Sequence, residues 1–429
     1  VSDLAPAHLV FSVIGFVVLY AVMLAAYIGY IVWAVRRGPE HDRPGAIIAD
    51  DDDLDDLDAE ATAGSTGAGA FAAVGGDRGA PGDRGEPADD GRERRGGRGK
   101  GGVMTIADVW LIVPVLCLTM YIVLDGYDLG IGILLLVEGD RRRRREGVEV
   151  VAQTWDINES WLILLGVSLW AGFPAVYGAA LPHLYIPLIV MLFCLIVRGF
   201  STELISHRHD TAEAWVRAFA VASLGAAIAQ GVALAGLARE LTLDAEGDFV
   251  GPTTPWDAAS VLFTIVVVIG VVAVYTTLGA SFMRTKVDSP LAVRTSRSLV
   301  AAAAVVLALI VALLGTTAAP LTWSGVQGVL VTALLVLALA AAILAWRQLG
   351  PGPRRAGGYR AALTMVVAVL AAIVVGRYPV ILSPGVTVED AAAPSLALYA
   401  LLIGVGINML LIVFYTIFAH RTFSGPLSH

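Results

Sequence analysis

The sequence predicts an all-α polytopic membrane protein, and three observations predict it. The 429 residues are 57% hydrophobic and only 15% charged, with a mean hydropathy of +0.75, a composition outside the soluble globular range. Apolar runs long enough to cross a bilayer recur from one end of the chain to the other. Between them lie short hydrophilic connections in which arginines recur at every second one. In a bilayer such runs must be helices, because only a helix pairs its own backbone groups within one segment. The formal charge of −8 reflects an acidic run, Asp50 to Glu60, inside one hydrophilic stretch, and gives no case for nucleic acid. Cys117 and Cys194 both fall in apolar runs and read as small hydrophobes, not as a disulfide or metal pair.

The first apolar run, about His8 to Val35, is followed by Arg36 and Arg37. Residues 1–37 read as one transmembrane helix. Residues 38–103 are rich in Gly, Asp, Ala and Arg, nearly lack aromatics, and read as a disordered linker or tail. Met104 opens the main domain, 104–429. Nine further spans are expected there, at about 106–136, 157–180, 182–200, 215–238, 257–283, 298–317, 325–346, 361–381 and 394–419. Positive charge flanking the spans sets orientation. It puts Arg141–Arg145, Arg198, Arg284, Lys286, Arg294, Arg297, Arg347, Arg360 and the C-terminal His420 and Arg421 on the cytoplasmic side. The same rule puts Met104 outside and the end of the first run inside, with no span between to join them. Either the first run is inverted against the rule, or residues 1–103 and 104–429 are two proteins run together.

Carboxylates stand out most in this apolar background. One inside a membrane helix costs roughly 2.5–3.5 kcal/mol at the centre on insertion scales. Asp125 and Asp128 share a helix face three residues apart, in the second half of a helix of about 30 residues, roughly 45 Å long. They read as a helix–helix polar clasp or as part of a proton or ion path. Gly126 and Gly130 form a small-xxx-small pair that admits a neighbouring helix. Asp156, Asn158 and Glu159 open the next helix. Acids in a first turn suit the helix dipole, and Trp155 and Trp161 suit an interface belt. A proton intake from the cytoplasm is the alternative. Arg198 reads as a snorkelling helix-end arginine or as the partner of an intramembrane acid. Gln230 and Asn408 read as helix glue, and Asp390 as a helix-start acid. No histidine sits centrally in a span, so this chain alone is not expected to ligate several haems.

From Met104 onward the sequence resembles subunit II of the cytochrome bd-type quinol oxidases, cyanide-insensitive members included. The resemblance rests on LDGYDLGIGIL (124–134), WDINESWL (155–162), FPAVYGAALPHLYIPL (173–188), LIVRG (195–199), QGVALAG (230–236), YTTLGASFMRTK (275–286) and FYTIFAHRTFSG (414–425). It departs from the family pattern at Ile157, usually Gly, and Ser160, usually Val. Residues 1–40 are similar to the last helix of subunit I of the same oxidase. The resemblance implies two four-helix bundles plus one peripheral helix, in a multi-pass protein of the bacterial cell membrane with a cytoplasmic C-terminus. It implies a partner, subunit I, that holds haem b and haem d, oxidises quinol and reduces oxygen to water; no haem is bound by this chain. Whether a small third subunit joins them stays open. On the same footing Asp156, with Asn158 and Glu159, is implied in proton delivery, and Trp161 in an approach for oxygen. Asp125, Asp128, Gly126, Gly130 and Arg198 are given structural or secondary parts. A proton- or ion-coupled transporter and a purely structural assembly subunit are the alternatives.

Overall fold

The computed structural model describes residues 104–207, 212–238, 241–243, 249–252, 258–287, 290–314, 321–322, 324–350, 356–382 and 385–422. The helix and linker expected over residues 1–103 lie outside them. Among the described residues the architecture is all-α, with eight helices long and apolar enough to cross a membrane and two short antiparallel hairpins.

α1 (Ile106–Leu135) starts at a reciprocal cap. The Asp108 backbone N–H donates to Thr105 Oγ1 at 3.3 Å, and the Thr105 N–H donates to Asp108 Oδ2 at 2.8 Å. The second half of α1 is almost wholly buried, from Leu124 to Gly132 without a break, which makes it the axis of the main core. α2 (Arg141–Ala152) is a helix where the arginine block reads as a loop. Asp140 caps it through Oδ1, which accepts from the Arg142 N–H at 2.9 Å. Its valines, Val148, Val150 and Val151, turn into the core while the arginines stay on the other face.

α3 (Trp155–Gly172) and α4 (Pro174–His207) correct the expected boundary near residue 181. The break falls at Phe173, whose φ of −130° and ψ of 64° leave the helical region. The residue before a proline is pushed out of that region, and Pro174 then suits a first helical turn. Pro182 and Pro187 lie inside α4 and do not end it; a membrane helix tolerates such prolines when neighbouring groups satisfy the freed backbone. α3 is not among the eight apolar helices, because Asp156, Asn158, Glu159 and Ser160 occupy its start.

The remaining helices are α5 (Ala212–Leu237), α6 (Ala258–Lys286), α7 (Pro290–Leu314), α8 (Gly325–Gln348), α9 (Ala356–Arg377), the single turn α10 (Val388–Ala391) and α11 (Ser395–Thr422). β1 (Leu241–Leu243) pairs with β2 (Phe249–Pro252), and β3 (Val380–Leu382) with β4 (Val386–Thr387). Asp390 caps α10 with Thr387, as expected for a helix-start acid. Asn408 is exposed on α11, and its Nδ2 donates at 2.8 Å to the Gly404 carbonyl of its own helix. His183 sits inside α4.

Gly126 and Gly130 admit α6, as the sequence predicts. A Cβ on Gly130 would lie 1.8 Å from the Tyr275 carbonyl oxygen, and one on Gly279 2.4 Å from Gly130 C. The two backbones touch at this crossing, in the manner of small-residue interfaces in membranes.

Contacts between helix ends give the main domain two distinct poles. At one, Tyr378 Oη donates to Asp108 Oδ1 at 2.9 Å, Thr322 N to Gly376 O at 2.7 Å, and Ala393 N to Gly172 O at 2.9 Å. At the other, Arg144 of α2 pairs with Glu213 of α5, Arg284 of α6 donates to the Leu349 and Gly350 carbonyls, and Arg297 of α7 donates to the Trp346 carbonyl at 3.0 Å. The second pole gathers the arginines and is called the basic pole below.

A buried carboxylate and guanidinium column

Three helices bring their polar residues together beneath the basic pole. α1 supplies Asp125 and Asp128, α3 supplies Asn158 and Glu159, and α4 supplies Arg198. Asp125, Asp128 and Asn158 are completely buried, and Arg198 is 1% exposed. Arg198 Nη2 donates to Asp125 Oδ1 at 2.5 Å and also to Glu159 Oε1. Asn158 Nδ2 donates to Asp128 Oδ2 at 2.8 Å and to Tyr127 Oη at 3.0 Å. Asp128, three residues from Asp125 on the same helix face and bonded to Asn158, adds a third carboxyl group to the cluster without an ion pair to Arg198.

The snorkelling reading of Arg198 is thereby overturned. Its helix continues for more than two turns past it, to His207, so the side chain is drawn to the acids beside it. Trp161 does not belong to an interface belt. It is fully buried in the main core, and its Nε1 has no hydrogen-bond partner among the described residues. Trp155 is half-buried and packs on Gly199, where a Cβ would lie 2.9 Å from the indole ring. Asp156 is exposed in the first turn of α3. It stands at the outer end of the column and makes no direct contact with Arg198.

The column extends both ways from this cluster. Deeper in the bundle, Gln230 of α5 joins α1 to α6: its Nε2 donates to Tyr121 Oη at 2.7 Å, and its Oε1 accepts from Tyr275 Oη at 2.6 Å. This is the helix glue expected of Gln230. Toward the basic pole, Tyr127 Oη meets Thr154 Oγ1 at 3.0 Å and His420 Nε2 at 3.2 Å. Sequence reasoning places His420 in a tail and misses it. The one available signal is its position at the end of FYTIFAH, still in phase with the last helix.

Geometry assigns the His420 tautomer. Nδ1 lies 2.9 Å from the Thr416 carbonyl, which can only accept, so Nδ1 carries the proton. In the neutral ring Nε2 then accepts from Tyr127 Oη. Burial holds the His420 pKa below its ordinary 6.5, the Thr416 carbonyl opposes this, and the Lys286 charge adds to it. Lys286 lies over the Phe282 ring, which stacks on Tyr127 with centroids 4.1 Å apart.

Several buried polar atoms of the column lack a hydrogen-bond partner among the described residues: Asp125 Oδ2, Asp128 Oδ1, Asn158 Oδ1, and Arg198 Nε and Nη1. Each costs roughly 1–3 kcal/mol if nothing meets it. Among the described residues no three His, Cys, Asp or Glu side chains gather as metal ligands. His420, the imidazole at the column's outer end, commits both ring nitrogens to Tyr127 and Thr416. The donor set therefore does not fit a haem ligand site.

These features define an integral membrane protein with a charged, hydrogen-bonded column inside its helix bundle. The family model for cytochrome bd terminal oxidase subunit II matches residues 106–423, and the chain belongs to that family. It is 37% identical over 103 residues to the cytochrome bd-I ubiquinol oxidase subunit 2 of Escherichia coli K12, which is 24% of this chain and 27% of that protein. It is 31% identical over 97 residues to the cytochrome bd ubiquinol oxidase subunit 2 of Bacillus subtilis strain 168, or 22% and 29% of the two chains. These alignments span little more than a quarter of the relatives' length. The fold is similar to a chain of the bd oxidase from Geobacillus thermodenitrificans, with a TM-score of 0.62 at 17% identity, over 75% of this chain and 99% of that one.

Proposed function

We propose that this chain is the haem-free subunit of a bd-type quinol oxidase and delivers protons from its basic pole toward the oxygen-reducing site of a partner subunit. The observation that carries the reading is the charge count at Arg198. One guanidinium pairs with two carboxyl groups, Asp125 and Glu159, and Asp128 is a third in the same cluster; Asp125 and Asp128 are fully buried and Glu159 partly so. Like charges crowded in such a site do not all ionise, and the cluster balances only when two of the three carboxyls hold protons. A cluster that must carry protons, in reach of the basic pole through Asn158, Tyr127, Thr154 and His420, is a proton store with an inlet. Water bridging the unpaired oxygens of Asp125 and Asp128 would complete the hydrogen bonding.

In this reading the partner, subunit I, holds haem b and haem d and oxidises quinol. Four electrons, four protons and one oxygen molecule give two waters there. The basic pole is cytoplasmic by the positive-charge rule, in a bacterial cell membrane, and the C-terminus lies on the same side. Asp156, exposed at the mouth, collects protons; Glu159 and Asp128 hold them. Trp161, fully buried in the core, belongs in this reading to an approach for oxygen.

The test is oxygen uptake by the complex of residues 104–429 with a complete subunit I, carrying Asp128→Asn or Asp156→Asn. With the haem spectrum unchanged, quinol-driven turnover falls about tenfold or more for Asp128→Asn, in the range of lost proton-transfer steps. It falls less for Asp156→Asn, because an exposed collector can be bypassed by water. Full turnover in both variants sinks the proton-delivery reading and favours an assembly subunit whose acids are clasps.

A further inference from the structure

α7, α8 and α9 line an apolar cleft of about 280 Å³. Its walls include Ala304, Ala308 and Val311 of α7, Leu335 and Ala338 of α8, and Met365 of α9. Ala308 and Leu339 at its mouth are exposed, and Leu339 is 62% so. The lining repeats at helical spacing, and both stripes run to the same end. On α7, Arg297 lies seven residues before Ala304, on the same face. On α8, Trp346 lies four residues beyond Ala342, which also lines the cleft. The two meet: the Arg297 guanidinium stacks over the Trp346 ring at 4.5 Å, and its Nε donates to the Trp346 carbonyl at 3.0 Å. Gly350 makes room for the guanidinium, since a Cβ there would lie 2.6 Å from Arg297 Nη2.

This end of the cleft has an excess of positive charge. Arg284 is 5% exposed, donates to the Leu349 and Gly350 carbonyls, and is close enough to Arg297 to repel it. Arg294, three residues before Arg297 on α7, and Arg347, next to Trp346 on α8, are exposed. None of these four arginines pairs with a carboxylate among the described residues. Two of them are held in place by backbone carbonyls and a tryptophan, so the charge cannot spread away. The apolar slot opens about 10 Å along α7 from that charge, at 1.5 Å per residue.

We propose that α7 and α8 bind one anionic phospholipid, its phosphate on Arg297, Arg294 and Arg347 and one acyl chain in the cleft between Ala304, Ala308 and Ala338. A fixed cationic cap, an interfacial Trp and an apolar slot on one line match a headgroup, its interfacial region and a tail. A zwitterionic lipid fits the slot but does not balance the cap. A free phosphate balances the cap but leaves the slot without an occupant.

Native mass spectrometry of the oxidase complex tests this. The complex is stripped of lipid, then equilibrated with mixed micelles of equal palmitoyl-oleoyl phosphatidylglycerol and palmitoyl-oleoyl phosphatidylcholine. One phosphatidylglycerol is expected to stay bound in preference to phosphatidylcholine, and inorganic phosphate is expected not to displace it. Arg297→Gln and Arg347→Gln are expected to weaken retention about fivefold each, the worth of one arginine at an anionic surface. Ala338→Leu, which fills the slot, is expected to weaken it with the haem spectrum unchanged. If Ala338→Leu yields no haem-bearing complex, Ala308→Leu at the exposed mouth is used instead. Equal retention of the two lipids, displacement by phosphate, or no effect of filling the slot overturns the proposal.

Discussion

Arg198 is the residue on which the buried column depends. Removing one member of a buried ion pair costs about 3–5 kcal/mol, because the remaining charges stay buried without their partner. Arg198→Gln leaves Asp125, Glu159 and Asp128 facing one another with no cation, so the purified complex is expected to lose that much stability, read as a lower thermal midpoint or failure to retain haem. Asp125→Asn should cost less, because Glu159 still pairs with Arg198. A midpoint for Arg198→Gln indistinguishable from that of the unmutated complex would show that the ion pairs do not form. His420 supports a second prediction, in pH. Its pKa lies below its ordinary 6.5 in the folded chain, so the unfolded chain binds more protons as pH falls below that value. Stability is therefore full above the ordinary value and is lost as pH falls through the lowered one. Thermal midpoints measured from about pH 7.5 to about pH 5, the window in which a histidine titrates, should fall less steeply in His420→Gln than in the unmutated complex; equal slopes would remove His420 as the titrating group. At this scale the acids were legible, since a carboxylate in an apolar run is conspicuous. Arg198 was legible as the partner of some intramembrane acid, but not of Asp125 in particular: the two lie 73 residues apart, and one sequence does not say which helix faces which. Tyr127 and His420 were hidden for the same reason, as ordinary residues in polarity whose meaning comes only from being 3.2 Å apart.

Among the elements, the α1–α6 crossing shows how much a spacing can reveal. Gly126 and Gly130 announce a close helix neighbour without naming it, and α6 answers with Gly279. Gly130→Ala places a methyl group 1.8 Å from the Tyr275 carbonyl oxygen, which is backbone and cannot swing aside. The helices must part, and overpacking of this kind costs typically about 1–3 kcal/mol. Gly404→Ala meets nothing within 4 Å and serves as the control. A thermal midpoint lowered by Gly130→Ala and unmoved by Gly404→Ala is the expected result; equal midpoints would mean the two backbones do not touch at this crossing. The α3–α4 boundary illustrates the opposite case. Pro182 looks like a break in sequence, yet α4 passes through it, and the chain turns instead at Phe173 before Pro174. Proline alone cannot mark a helix end where packing satisfies the freed carbonyl. α2 escaped notice because five consecutive arginines hide the valine face behind them.

At the scale of the whole main domain, the two poles turn a rule about loops into a three-dimensional statement. Direct contacts at one pole join α2 to α5 through Arg144 and Glu213, the end of α6 at Arg284 to the chain just after α8, the start of α7 at Arg297 to the end of α8, and the second half of α1 to the end of α11 through Tyr127 and His420. The opposite pole joins the start of α1, the ends of α3 and α9, and the start of α11 through backbone and tyrosine hydrogen bonds. Cations retained on the cytoplasmic side during insertion fix the orientation of such a bundle, so the basic pole should face the cytoplasm. Single cysteines at Arg145 and Glu389, both exposed and at opposite poles, make this measurable in a background with Cys117 and Cys194 replaced by alanine. In intact cells a membrane-impermeant maleimide should label Glu389→Cys, and Arg145→Cys only after the membrane is opened. The reversed pattern would place the column's inlet outside, and protons for oxygen reduction would then be drawn from the wrong side to charge the membrane. Labelling at both positions in intact cells would mean mixed insertion, which a domain with its cations gathered at one pole should not permit.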